Sequence, residues 1–305
     1  MIETKSTNIK IWIEAMRPRT LPLAVASIIL GTFLAAAAGG LRLGVALLAG
    51  LTAVLLQILS NLANDYGDSV HGADHVERAG PKRAVQMGAI SAAAMKRAMI
   101  LFALLSVVSG LGLIWLALGT AVLWLFLGFG LLGAAAIWAA INYTAGGNPY
   151  GYAGLGDLFV LIFFGWVGVM GSYFLQTQAW DWLALLPATS CGLLSVAVLN
   201  VNNIRDIESD KLAGKISIPV RLGPERARVY HWTLLGGALA AAVLYVLLVN
   251  SGWGSWLFLL IGPLLWRNGR AVATTYDPLK LNPLLKQTSL MTLAFVILFG
   301  IGQII

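Results

Sequence analysis

Charge is scarce in this chain. Only 11% of its 305 residues are Asp, Glu, Lys or Arg, against about 25% in a soluble globular domain, and the mean hydropathy is +0.82. A water-soluble fold is excluded. Cysteine is nearly absent: Cys191 stands alone in an apolar run, which rules out an internal disulfide or a Cys-based metal cluster and suits a small buried hydrophobe. His71 and His75 lie among acids but lack a companion ligand set, so they do not make a zinc site. No Ser/Pro-rich linker or low-complexity stretch divides the chain, and residues 1–305 read as a single membrane domain.

What is present is a succession of long apolar runs. A spanning helix needs about 20 largely apolar residues, and candidates fall at residues 21–38, 43–63, 97–117, 120–142, 157–177, 182–203, 229–249, 253–268 and 288–305. These predict an all-α polytopic bundle of nine transmembrane helices. The eighth span is short and contains Pro263. Residues 1–19 are polar and mixed in charge. Their stretch "IKIWIEAMRPR" sets Ile9, Ile11, Trp12, Ile13 and Met16 among Lys10, Glu14 and Arg17, as a short interfacial helix before Pro18 would. The run beginning near Leu21 is followed by many others like it, which fits a first span better than a cleaved signal peptide.

The net charge of +7 is a matter of placement. With the N-terminus inside, every Lys and Arg except Arg42 falls on the inner side of the nine-span arrangement, as the positive-inside rule requires. The basic residues precede span one or lie between spans two and three, six and seven, and eight and nine. This makes a nucleic-acid partner unnecessary and predicts a cytoplasmic N-terminus and an external C-terminus.

The acids are not spread evenly. Asp65, Asp68, Asp74 and Glu77 follow span two, Asp206, Glu208 and Asp210 follow span six, and Asp157 begins span five on the same side. If the second helix continues to Asp68, then Gln57, Asn61, Asn64 or Asp65, and Asp68 share one face at three- and four-residue steps. Asn202 or Asn203, Asp206 and Asp210 repeat the arrangement in span six. Acids at a helix C-terminus meet the negative end of the macrodipole, and a charge within the bilayer costs about 2.5–3.5 kcal/mol by insertion scales, so something must offset them. Solvated caps would explain either cluster alone. Two similar clusters on one side, each with an amide one turn deeper and cations just beyond, favour Mg²⁺ held by carboxylates together with substrate phosphates. Arg78, Lys82 and Arg83 follow the first cluster, and Arg205, Lys211 and Lys215 accompany the second.

At these residues the sequence resembles the UbiA superfamily of intramembrane aromatic prenyltransferases. "NDYGD" at residues 64–68 is similar to its first Asp-rich motif and "NNIRDIESD" at residues 202–210 to its second. The pair, placed after spans two and six, extends the resemblance over essentially the whole chain. "RPRTLPLA", "LQILSNLANDYGD", "GPKR", "NPYGYAGLGDLFVLIFFG" and "LNVNNIRDIESDKLAGK" resemble the bacterial branch that acts on 1,4-dihydroxy-2-naphthoate. A ubiquinone-type aspartate four residues after Asp68 is replaced by Gly72, which leaves the role of Asp74 open.

The resemblance implies Mg²⁺-dependent transfer of a chain from polyprenyl diphosphate to 1,4-dihydroxy-2-naphthoate with loss of its carboxylate, giving demethylmenaquinone. It implies Asn64, Asp65, Asp68, Asn202, Asp206 and Asp210 around the metal, the four aspartates being the catalytic set. Arg78, Lys82, Arg83, Arg205 and Lys215 are candidates for diphosphate contact. Tyr143 and Tyr150 can shield an allylic cation with their π faces or belong to an interfacial aromatic belt. Gln57 and Asn61 can bind the acceptor or another helix, and Asp157 can contact substrate or stabilise its helix N-terminus. Another acceptor such as 4-hydroxybenzoate is the alternative within the family. An ion-coupled transporter is the alternative outside it, although transporter sites usually sit at the midplane within repeated halves.

Overall fold

A computed structural model describes residues 2–70, 83–119, 123–249 and 252–305, with residues 2–8 as backbone only. The described residues form a bundle of long helices without a strand. Helix α1 (Ile2–Met16) ends before Pro18, and a short 3₁₀ turn (Pro18–Thr20) redirects the chain into α2 (Leu21–Ala37). Arg17 at that corner is left-handed, with φ 51° and ψ 66°.

Helix α3 (Leu43–Val70) has 28 residues. At 1.5 Å per residue it is about 42 Å long, more than the roughly 30 Å of a bilayer's hydrocarbon. The surplus is its polar end, so Asn64 to Asp68 need not lie in lipid. Helices α4 (Ala92–Leu118) and α5 (Leu123–Asn142) follow. The fifth span is compound: α6 (Gly156–Val160), a π-helical stretch (Leu161–Val167) and α7 (Gly168–Thr177). Helix α8 (Leu185–Arg205) stops at Asp206 and continues as α9 (Ile207–Leu212). Helix α10 (Ile218–Val249) bends at Gly223 before Pro224.

Among the described residues, eight spans are long and apolar enough to cross a membrane. The expected crossing at residues 253–268 is instead a 3₁₀ stretch (Trp253–Ile261) followed by α11 (Gly262–Thr274), with Pro263 at the junction. Its start lies beside the end of the last helix, α12 (Pro278–Ile304), where Ser255 donates to Gly302 O at 3.1 Å. Its far end meets the start of α10, where Arg228 donates to Thr275 O at 2.9 Å. The composite segment therefore traverses the bundle a ninth time.

Leu30, Leu194, Phe258, Phe295 and Phe299 fill the main core. Leu59, Leu62 and Met95 fill a second between α3 and α4 with α1 packed on it. Val108, Trp115 and Leu131 point outward, as lipid-facing side chains do. Arg42, the cation outside the positive-inside pattern, donates to Leu116 O and Ala117 O at 2.7 Å each. It caps carbonyls left unpaired at the end of α4, which accounts for its place.

Candidate active site

The overhanging end of α3 presents Gln57, Asn61, Asn64 and Asp68 to a cavity of about 380 Å³. Asn61 also ties the helix to the chain entering α2, donating to Met16 O at 2.9 Å and to Thr20 Oγ1 at 3.0 Å. Gln57 donates to Asn61 Oδ1, while its own side-chain oxygen Oε1 is buried with no hydrogen-bond partner among the described residues. Asp65 does not line that cavity but an adjoining one. Its two carboxylate oxygens accept the backbone N–H groups of Ala84 and Val85, each at 3.0 Å.

Gly67, inside "NDYGD", lets the chain leaving α5 pass against α3: a Cβ there would meet Thr144 C at 2.4 Å. That crossing brings Thr144 Oγ1 to Asn64 Oδ1 at 3.0 Å. Tyr152, on the same connection, donates to Asp68 Oδ1 at 3.1 Å. Asp68 also pairs with Arg83, and both side chains are buried.

The second motif is organised by the break at Asp206 (φ −99°, ψ 11°). Arg205 grips Asp206 in a fork, Nε to Oδ1 at 2.8 Å and Nη2 to Oδ2 at 2.6 Å. It also donates to Asn202 Oδ1 and to Asn282 Oδ1, each at 2.8 Å. Just past the end of α9, Gly214 adopts φ +69°, a conformation that suits glycine at a helix C-terminus. The reversal returns Lys215, whose N–H bonds Asp210 O at 2.8 Å, and its Nζ lies 3.3 Å from each Asp210 carboxylate oxygen.

The two motifs meet around Lys215 and Tyr143. Burial raises the Asp210 pKa, the charges of Asp206 and Asp68 push it the same way, and Lys215 opposes them. Burial pulls Lys215 down, but Asp210, Tyr143, Asp68 and Asp206 outweigh it and the ammonium form is favoured. Tyr143 is pushed up to about 12 by burial, with Asp210, Asp68 and Asp157 adding and Lys215 opposing. Its charge state at neutral pH is therefore an intact phenol whose ring lines the cavity. Tyr150 meets Tyr143 edge-on, with ring centroids 5.5 Å apart, and stacks on Phe159 at 3.9 Å. Phe129, Phe163 and Leu175 line the cavity farther along. Arg17, Arg19, Arg83 and Lys215 line it too, and the same three arginines face an adjoining cavity of about 420 Å³ with Arg205 and Asn202.

Asp157 does not line the cavity. It accepts a hydrogen bond from Tyr230 at 2.9 Å, which fastens the start of α6 to α10. Arg78, Lys82, Asp74, His71 and His75 lie outside the described residues. Sequence reasoning missed Thr144, Tyr152 and Asn282 as partners of the motifs, and it did not single out Arg17 or Arg19.

The donor set suits a hard cation that shares its ligands with phosphate. Among the described residues no group of three or more His, Cys, Asp or Glu side chains could hold an ion, so a protein-only cage is absent there. Mg²⁺ typically takes one or two carboxylates and completes its octahedron with phosphate and water. The charge of Asp68 adds to the raised pKa of Asp210, and among the described residues Asp210 Oδ2 is buried with no hydrogen bond beyond its ion pair with Lys215 at 3.3 Å. Such an oxygen is a ligand position for Mg²⁺.

The UbiA prenyltransferase family matches residues 24–290. Over 303 residues, covering 99% of this chain and 97% of the relative, the sequence is 50% identical to the Escherichia coli (strain K12) protein named 1,4-dihydroxy-2-naphthoate octaprenyltransferase. A Mycobacterium tuberculosis (strain H37Rv) protein of the same name is 39% identical over 286 residues, 94% of each chain. The solved structure of a UbiA homologue from Archaeoglobus fulgidus bound to DMAPP and Mg²⁺ shares the fold. It has a TM-score of 0.62 at 18% identity, over 96% of this chain and 98% of that one. The chain belongs to the UbiA prenyltransferase family.

Proposed function

We propose that this protein transfers a polyprenyl group from polyprenyl diphosphate to 1,4-dihydroxy-2-naphthoate, with loss of the acceptor's carboxylate as CO₂ and release of diphosphate, to give the quinol form of demethylmenaquinone. The observation that carries the reading is that Asp68 and Lys215 line one apolar cavity, with Asp210 ion-paired to Lys215 at 3.3 Å. The names of the relatives supply the acceptor, and the octaprenyl donor they name is the first to test. The N-terminus and the cavity mouth face the cytoplasm of a bacterial inner membrane, because almost all cations lie at that end.

Asp68, Asp206 and Asp210, with Asn64 and Asn202, would hold Mg²⁺ and through it the diphosphate, and Asp65 fixes the neighbouring loop. When bound, the metal neutralises charge that builds on the departing diphosphate. Lys215, Arg83, Arg17 and Arg19 bind the same phosphate oxygens as aimed positive charges, which count most where water is excluded. The Tyr143 ring, backed by Tyr150 and Phe159, turns its π face to the allylic carbon as positive charge develops there. The apolar wall keeps water from that carbon until the naphthalene ring attacks. A cavity of about 380 Å³ is of a size that encloses a drug-sized ligand. It therefore takes the reacting ends, and most of an octaprenyl tail lies in the bilayer.

Purified protein with octaprenyl diphosphate, Mg²⁺ and 1,4-dihydroxy-2-naphthoate should release CO₂ and form the prenylated naphthoquinol, and chelation of the metal should stop it. Product from 4-hydroxybenzoate alone would overturn the acceptor. No prenylated product from any aromatic acceptor, with folded protein, would overturn the enzyme reading.

A further inference from the structure

The cations on the two motifs are held differently. Arg205 is fixed: it makes four hydrogen bonds of 2.6–2.8 Å to Asp206, Asn202 and Asn282. Lys215 has one hydrogen-bond partner among the described residues, Asp210, at 3.3 Å. Its ammonium is buried and lines the cavity beside Asn64, Asp68 and Tyr143, within reach of a bound phosphate. Lysine is a point charge on a flexible stem, whereas arginine's planar fork locks onto a carboxylate. Arg205 is thus built to stay and Lys215 to move.

Asp210 cannot serve both cations closely. An Mg²⁺ ligand oxygen lies about 2.0–2.1 Å from the ion, and an ammonium on the same buried carboxylate would then sit against a dication with little solvent to screen the repulsion. A diphosphate removes the conflict by offering Lys215 other oxygens.

We propose that Lys215 is an exchangeable counter-cation: it competes with divalent metal for Asp210 and moves onto the diphosphate, so that metal and diphosphate bind tightly only together. This rests on the prenyltransferase reading for the presence of a diphosphate and goes beyond it by assigning the binding coupling to one side chain. The order of loading follows: metal enters with the diphosphate, which protects the site from holding metal without substrate.

The test is calorimetry on the full chain in detergent, titrated with Mn²⁺ alone and with preformed Mn²⁺–pyrophosphate. The wild type should bind the complex at least a hundredfold more tightly than the metal. Lys215→Gln should bind Mn²⁺ alone at least tenfold more tightly than wild type and the complex at least tenfold more weakly. Lys215→Arg, with a firmer grip on Asp210, should bind Mn²⁺ alone more weakly than wild type. Lys211→Gln, on an exposed pair with Glu208, should change neither.

Equal wild-type affinities for metal and complex would overturn the inference. So would a Lys215→Gln protein whose affinity for Mn²⁺ alone is unchanged or lower. If that variant does not fold, the wild-type comparison and Lys215→Arg decide. Naphthoate turnover with unchanged metal affinity in Lys215→Gln would defeat this inference alone, and the expected metal behaviour without any prenyl transfer would defeat the functional reading alone.

Discussion

Gly67→Ala separates two opposing effects of known sign. In an unobstructed helix interior the change stabilises by about 0.5–1 kcal/mol, because glycine loses more backbone freedom on folding. At Gly67 the new Cβ would lie 2.4 Å from Thr144 C, 2.5 Å from Thr144 O and 2.6 Å from Ala145 N. These are backbone atoms, so no rotamer change relieves them. Overpacking of this kind costs about 1–3 kcal/mol, which against that gain leaves a net loss of up to about 2.5 kcal/mol, centred near 1. The same displacement pulls Thr144 off Asn64 and moves the Tyr152 connection that reaches Asp68. A shift of about 1 Å at a reacting constellation costs about a hundredfold in rate. Thermal unfolding in detergent should show a lower midpoint, and initial rates of prenyl transfer should fall ten- to about a hundredfold. Gly128→Ala in α5, where a Cβ meets nothing within 4 Å, should be neutral or stabilising and active. A Gly67→Ala protein more stable than wild type and fully active would refute the close crossing.

Asp68→Ala, Asp206→Ala and Asp210→Ala should each lower turnover by about a hundredfold or more, the scale of losing a positioned electrostatic group, and near wild-type rates in both motifs would remove their catalytic role. Asp65→Ala should lower the unfolding midpoint, since two charge-assisted hydrogen bonds of about 1.5–3 kcal/mol each are lost; an unchanged midpoint would refute its hold on Ala84 and Val85. Arg42→Ala should cost about 1 kcal/mol with activity intact, which the same melting curves and rates would read. Asp210, raised by burial and then by Asp206 and Asp68 against Lys215, takes up a proton at a pH where an ordinary carboxyl of about 3.9 is still ionised. Turnover should therefore fall on the acid side at a higher pH than that, and Lys215→Gln should move the limb higher still. Because the folded form binds this proton more tightly, the group's contribution to stability is full below its unfolded pKa and is lost as pH rises through the folded one.

The apolar runs and the sidedness of the cations carry the bundle, because both follow from the cost of polar groups in hydrocarbon. The three- and four-residue spacing of Gln57, Asn61, Asn64 and Asp68 likewise predicts a shared face, and the structure puts all four on the cavity. Spacing leaves Asn64 and Asp65 as alternatives for that face. The partners of Asp65 decide it, and these are backbone N–H groups of residues 84 and 85, which have no sequence signature. Thr144 and Tyr152 reach the site from a connection whose path depends on the Gly67 crossing, so their roles appear only with the fold. The broken ninth traverse was foreshadowed by Pro263, but its 3₁₀ character was not.

The same limit of spacing explains the difference between the motifs. Along a regular helix, neighbouring residues do not face each other, so Arg205 and Asp206 read from sequence as unrelated side chains. The end of α8 at Asp206 turns the carboxylate out of helical register and into the guanidinium fork. The first motif stays on an unbroken helix and takes its cation, Arg83, from beyond the following connection. The second motif thus carries a built-in, fixed charge partner together with the looser Lys215, whereas the first depends on how the chain returns after α3. A substitution that straightens the α8–α9 junction should therefore disturb Asp206 without touching Asp68. A change in the return to Arg83 should do the reverse.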